Sequence, residues 1–263
     1  MAGSEKVIYQ MKRETIINML EKGIRIDGRK FDEYRKIDIK KGVIPNAEGS
    51  ALVKIGQTQV LSGVKFGIME PFPDTPNEGV LIVNAEFLPL ASETFEPGPP
   101  DPNSIELARV VDRGIRESKC IDMESLFIEE GKVLSIFVDI YLIDHFGNYF
   151  DASSLAAVSA LLDTRMPKVE DGKIVPGEYA GSLDLKQVPV TTTFFKIGKY
   201  IVVDAILDEE NASNARYTVG TVENYLCSMQ KGLSGTFKKD EILSLVDKAF
   251  EKGKVLRRLA LQE

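Results

Sequence analysis

Three arginines, Arg109, Arg113 and Arg116, recur at i, i+4 and i+7. In a helix, where successive residues turn by about 100°, this spacing sets three guanidinium groups along one face. A guanidinium fork matches the geometry of phosphate oxygens, so such a row could grip successive phosphates of an extended strand. A solvated helix face is the other reading, because Glu106, Asp112 and Glu117 lie near enough in sequence for surface ion pairs. The chain has 263 residues and a formal net charge of −7. Any nucleic-acid contact must therefore come from a local basic patch on an acidic body.

The other chemistry-bearing residues point to less. Asp204, Asp208, Glu209 and Glu210 form an acidic cluster, but without the ordered ligand spacing of a magnesium or calcium loop. They read as a solvated strand end and turn, and no metal site is expected. His145 is the only histidine, which excludes histidine-cluster metal sites and most Ser/His/Asp machinery. Beside Asp144 and without a nucleophile motif, it reads as structural. Cys120 and Cys227 are far apart in sequence and form no CxxC pair, so neither zinc nor a disulfide framework is expected. No P-loop occurs and no GxGxxG follows a strand, so no cofactor is expected either. Residues 1–12 lack the apolar core of a signal peptide, and no apolar run approaches the roughly 18 residues that a membrane span needs. These features fit a soluble cytoplasmic protein that makes no membrane contact.

The arginine helix is expected over residues 104–118, with Asn103 as N-cap, Glu106 completing a capping box, and Ile105, Ala108, Val111 and Ile115 facing inward. A Pro/Gly-rich stretch, residues 95–103, leads into it. An amphipathic helix is expected over residues 7–22, carrying Val7, Met11, Ile16, Ile17 and Leu20 and stopped at Gly23. Period-two alternation over residues 35–87 predicts a β-meander. A strand follows over residues 134–142, then an Ala-rich helix over 151–162. A loop with Pro167, Gly172, Pro176 and Gly177 precedes strands over 188–197, 200–207, 215–221 and 225–230. A last helix runs over 239–259. Strands precede helices twice, which makes the class α+β in layers.

Several ordered segments are similar to one family. Ile105-Glu106-Leu107-Ala108-Arg109-Val110-Val111-Asp112-Arg113-Gly114-Ile115-Arg116 resembles the arginine-bearing helix of RNase PH-type proteins. Arg25-Ile26-Asp27-Gly28-Arg29 resembles their N-terminal R-x-D-G-R segment, and Gly49-Ser50-Ala51-Leu52-Val53-Lys54-Ile55-Gly56-Gln57-Thr58-Gln59-Val60 their G-S-A-x-V-x-x-G-x-T-x-V strand pair. Residues 144–155, ending Phe150-Asp151-Ala152-Ser153-Ser154-Leu155, resemble the strand-to-helix turn, and Asn214-Ala215-Arg216-Tyr217-Thr218-Val219 with Met229-Gln230-Lys231-Gly232 the C-terminal pattern. The resemblance runs from about residue 20 onward. Within the family the pattern is most similar to the non-catalytic RNase PH-like subunit of archaeal exosome cores.

Two departures carry that distinction. Active members have a Gly-Thr-Arg-type turn whose arginine and following helix N-terminus hold inorganic phosphate. Here the turn reads Phe150-Asp151-Ala152-Ser153-Ser154, and a carboxylate there repels phosphate and can cap the helix instead. Active members also place an aspartate near Ala215, where this chain has Asn214-Ala215-Arg216. The resemblance therefore implies no catalytic residues and RNA-binding roles for Arg109, Arg113 and Arg116. It implies a ribosomal protein S5 domain 2-like fold in one domain over residues 1–263, with an N-terminal sub-region to about 165 and a C-terminal one over about 180–263. Implied partners are a catalytic RNase PH-like sister, in three heterodimers closing a hexameric ring, cap subunits with S1 or KH domains, and single-stranded RNA undergoing 3′–5′ phosphorolysis. The rival expectations are an active phosphorolytic nuclease and a ring scaffold without RNA contact.

Overall fold

The computed structural model describes residues 3–262. It consists of a six-stranded and a four-stranded sheet with a buried helix between them, together with a two-stranded ribbon, an α+β layering as expected. Helix α1 (Gly3–Glu21) comes first. Ile16 and Leu20 are buried, Met11 is exposed, and the side chain of Val7 lies outside the described residues. Strands β1 (Ile37–Lys41), β2 (Gly49–Ile55) and β3 (Thr58–Met69) form an antiparallel meander. The meander expected to continue into β4 (Val80–Phe87) stops at β3. Strand β6 (Lys132–Asp144) inserts between them, antiparallel to β3 and parallel to β4, with the short β5 (Phe127–Glu129) pairing to β6. A parallel neighbour needs a crossover, which helix α2 (Pro102–Glu117) supplies.

Helix α3 (Tyr149–Leu162) is buried on every side, and it packs against β2, β3 and β6 of the first sheet and β9 of the second. A helix that is apolar all round can only lie in a core, and its alanines and serines allow close approach. Where the end of α3 meets β2, a Cβ at Gly49 would stand 2.3 Å from the Ala160 carbonyl. Side chains such as Phe150 and Leu155 contribute about 1.5–3 kcal/mol each on burial.

The loop expected around Pro167 and Pro176 is instead a hairpin of β7 (Arg165–Glu170) and β8 (Lys173–Ser182). Its turn is Asp171-Gly172, both at positive φ, the pairing favoured by tight hairpins. Prolines are tolerated because a two-stranded ribbon is all edge, and the register shifts beside Pro167. The second sheet has the order β10-β9-β11-β12: β9 (Val190–Ile197), β10 (Tyr200–Val203), β11 (Ala215–Thr221) and β12 (Leu226–Gly232). The strand expected to reach residue 207 ends at Val203, and α4 (Leu207–Ala212) follows. Helix α5 (Lys239–Leu261) covers this sheet. No described helix is long and apolar enough to cross a membrane.

Candidate nucleic-acid interface

Helix α2 packs on β4, the edge of the first sheet, and on β12, the edge of the second. Its start is two residues earlier than the Asn103 cap expected from sequence. Asp101 accepts a hydrogen bond from the Ser104 amide at 2.7 Å, and Pro102 occupies the first turn, where a missing N–H costs nothing. The inward face also differs. Leu107, Val110, Val111 and Ile115 are buried, whereas Ile105 is 49% exposed. Leu107, Val111 and Ile115 make an i, i+4, i+8 stripe, and burying that stripe sets the rotation of the helix.

That rotation leaves Arg109 and Arg113 exposed, and neither makes an ion pair or hydrogen bond among the described residues. They form the ridge between two grooves. The groove toward β4, of about 540 Å³, is also lined by Arg116, Asn84, Glu86 and Asp139. The groove toward β12, of about 280 Å³, is also lined by Glu106, Ser228, Met229 and Gln230. Arg116 sits differently. Its Nε and Nη2 donate to the Asp112 carboxylate at 3.1 and 2.7 Å, and Nη2 also donates to the Leu81 carbonyl at 3.1 Å. The expected stripe is thus two unpaired guanidinium groups and a third held by an i, i+4 carboxylate.

The acidic cluster is not the solvated turn that its sequence suggests. Arg25 donates to both Glu209 carboxylate oxygens, at 3.0 and 2.6 Å, and both side chains are fully buried. Asp204 is buried at the end of β10 and accepts from Arg35 Nη2 at 2.6 Å, Arg29 Nη1 at 3.0 Å and Asn148 Nδ2 at 2.9 Å. Burial works to raise the Asp204 carboxyl, but the hydrogen bonds and charge of Arg35 outweigh it and hold its pKa below the ordinary value. Sequence alone marks Arg25 to Arg29 only by its resemblance to the R-x-D-G-R segment. The signal it lacked was a burial pattern, since arginine seldom lies in a core unless paired. Asp208 alone of the cluster remains exposed.

The strand-to-helix turn is closed in a particular way. Asn148, at a φ of 51°, precedes α3, and Asp151 lies in the first turn rather than at the cap. Asp151 accepts from the Tyr34 hydroxyl at 2.6 Å, Asn148 Nδ2 at 2.9 Å, and the Thr193 amide and hydroxyl at 3.1 and 2.7 Å. Burial pushes its carboxyl above the ordinary value. Glu210, raised likewise by burial, accepts from the Asn148 amide at 2.7 Å. Two carboxylates therefore occupy the positive end of α3, where a helix would otherwise attract an anion. In β11, Arg216 lies beside Ala215 with its guanidinium 3.9 Å from the Phe150 ring centre. His145 packs between Phe95 and Tyr149, ring centres 5.6 and 5.2 Å away, and burial lowers its pKa from 6.5 to about 4. Among the described residues no group of three or more His, Cys, Asp or Glu is placed to hold a metal ion.

Two sheets around a buried Ala-rich helix, with an arginine ridge on the crossover helix, define a class. Residues 33–167 match domain 1 of the 3′ exoribonuclease (RNase PH) family and residues 187–252 match its domain 2. The chain belongs to this family. It is 48% identical over 263 residues to the exosome complex component Rrp42 of Thermococcus gammatolerans, covering 98% of this chain and 96% of that one. It is 49% identical over 257 residues to the exosome complex component Rrp42 of Methanothermobacter thermautotrophicus, covering 96% and 95%. A chain of the Archaeoglobus fulgidus exosome with RNA bound to the active site superposes with a TM-score of 0.88 at 45% identity, covering 96% of this chain and 98% of that one.

Proposed function

We propose that this chain is a non-catalytic, RNA-contacting subunit of a cytoplasmic archaeal exosome ring that degrades RNA from the 3′ end by phosphorolysis. The observation that carries the reading is the Asp151 carboxylate in the first turn of α3, buried and bonded to Tyr34, Asn148 and Thr193. Inorganic phosphate needs donors and positive charge at such a helix start, and here a carboxylate and its own donors occupy the place. The chain's contribution is positional. Arg109 and Arg113 neutralise RNA phosphates without reading sequence, and the ring presents the strand to the catalytic RNase PH-like sister subunit. Arg116 adds charge to the same path while tied to Asp112. Three heterodimers with the sister close the ring, and S1 or KH-domain caps sit on one face. The outermost strands of both sheets support such assembly, since strand edges left unpaired call for cover. The chain acts in it as one domain, because Arg25, Arg29 and Arg35 tie its N-terminal segment to Asp204 and Glu209 of the C-terminal half.

The test is reconstitution with the sister subunit. The purified chain alone should release no nucleoside diphosphate from single-stranded RNA and phosphate, and the reconstituted ring should. A ring carrying Arg109→Glu and Arg113→Glu should assemble, bind RNA about 10- to 100-fold more weakly, and show a log–log salt slope shallower by about 1.4, two phosphate contacts at about 0.7 each. Diphosphate release by the chain alone would make it an active nuclease. Unchanged binding by the substituted ring would make it a scaffold without RNA contact.

A further inference from the structure

The two faces of α2 treat their acids differently. Among the described residues Asp112 has no basic partner from elsewhere in the fold, and it captures Arg116 one turn later. Glu106 stands three residues before Arg109, the other helical spacing at which side chains meet, about 5–6 Å apart between Cβ atoms. Yet Glu106 does not pair with Arg109. Its Oε1 instead forms an ion pair with Arg216 Nη2 at 2.8 Å and accepts from Gln230 Nε2 at 3.4 Å, both on the second sheet.

Arg216 is built to make this contact. It is only 5% exposed and lies against the Phe150 ring. Its partner across β12 is Gly232, and a Cβ there would stand 2.6 Å from Arg216 Nη2. A side chain at Gly232 would force the Arg216 guanidinium to shift from the position in which it reaches α2. Its Nε is buried without a partner, so the side chain gives up one hydrogen bond to hold this position.

We infer that Arg216 is a positioning residue for RNA contact: by engaging Glu106 from the second sheet, it keeps that carboxylate off Arg109 and leaves the Arg109 guanidinium free for a phosphate. The inference rests on the RNA-contacting reading above, and it adds a reason why one arginine of the stripe is unpaired where another is captured. An exposed i, i+3 pair is weak in water. A bound RNA phosphate must nevertheless compete with a carboxylate that repels it, so removing the Arg216 charge acts on RNA affinity through both capture and repulsion.

The experiment uses the full chain reconstituted with its sister subunit and a labelled single-stranded oligoadenylate, with anisotropy read across salt concentration in the absence of phosphate. Arg216→Met, similar in bulk, should weaken binding about 5- to 10-fold and make the log–log salt slope shallower by about 0.7, one phosphate contact. Arg216→Lys, which keeps the charge, should stay within about twofold of the unmodified ring. The decisive variant is Arg216→Met with Glu106→Gln. With no carboxylate to capture Arg109, affinity and slope should return to within about twofold. If the double variant binds as weakly as Arg216→Met, Arg216 merely supports the fold and the inference is overturned. It is equally overturned if Arg216→Met binds like the unmodified ring while Arg109→Ala weakens binding. If Arg109→Ala itself leaves binding and slope unchanged, the RNA-contacting reading fails first.

Discussion

Two groups of arginines divide this molecule. Arg25, Arg29 and Arg35 lie buried or nearly so, each bonded to Asp204, Glu209 or a carbonyl at that junction. Arg109 and Arg113 stand on an exposed ridge without a partner among the described residues. The residue type is the same and the environments are opposite. A guanidinium withdrawn from water must be compensated in full, so the first group holds the fold. A guanidinium left in water between two grooves adds little to stability and keeps its hydrogen-bonding capacity for a ligand. Arg116, bonded to Asp112 yet half exposed, lies between the two cases.

The largest effect should come from the buried group. Arg25→Ala leaves Glu209 charged, buried and unpaired, and should cost about 3–5 kcal/mol in denaturant unfolding. Arg25→Met with Glu209→Leu should recover most of that loss. The same measurement should give one transition by fluorescence and by circular dichroism, as one domain requires; two transitions would separate the halves.

His145 comes next. Its folded pKa of about 4 lies below the ordinary 6.5, so the unfolded chain takes up a proton first as pH falls. The stability it contributes is fully present above pH 6.5 and is lost progressively toward pH 4. The loss should reach at most roughly 3 kcal/mol. Unfolding titrations between these limits should flatten in His145→Phe, and an equally steep profile in that variant would assign the pH dependence to other groups.

The smallest effect is expected at the intermediate arginine. Arg116→Ala should change stability by less than about 1 kcal/mol, as for other partly exposed i, i+4 pairs. It should weaken RNA binding by the reconstituted ring less than Arg109→Ala does. A loss equal to that of Arg109→Ala would place Arg116 with the free pair.

Sequence reading reached the elements with strong periodicity: β6, β9, β11, α3 and α5 fall within a few residues of expectation, and the first three strands lie inside the alternating stretch. It missed what depends on three-dimensional pairing. Nothing local says that β6 enters between β3 and β4, because each strand alternates correctly whoever its neighbour is. The Asp171-Gly172 turn was a readable hairpin signal, outweighed by two prolines that forbid a central strand but not a ribbon. The arginine stripe was legible from spacing alone. Which of its members was free was not, since that turns on Asp112 beside Arg116 and on Arg216, which lies about a hundred residues further along the chain. The acidic cluster was misjudged because charge suggests solvent, and only the distant arginines of the N-terminal segment reverse that expectation.

The late arrival of β6 also has a consequence for synthesis. Strand β3 ends at Met69 and its second neighbour begins at Lys132, so roughly 60 residues must be added before the inner edge of β3 can be covered. At about 5–20 residues per second, the nascent chain carries that open edge for some 3–12 seconds. During this interval Val60, Val64 and Phe66 belong to a strand that lacks its second neighbour, and a neighbouring nascent chain could pair with it. Slow translation through α2 would lengthen the exposure, whereas synonymous changes that speed this stretch would shorten it and raise the yield of folded chain.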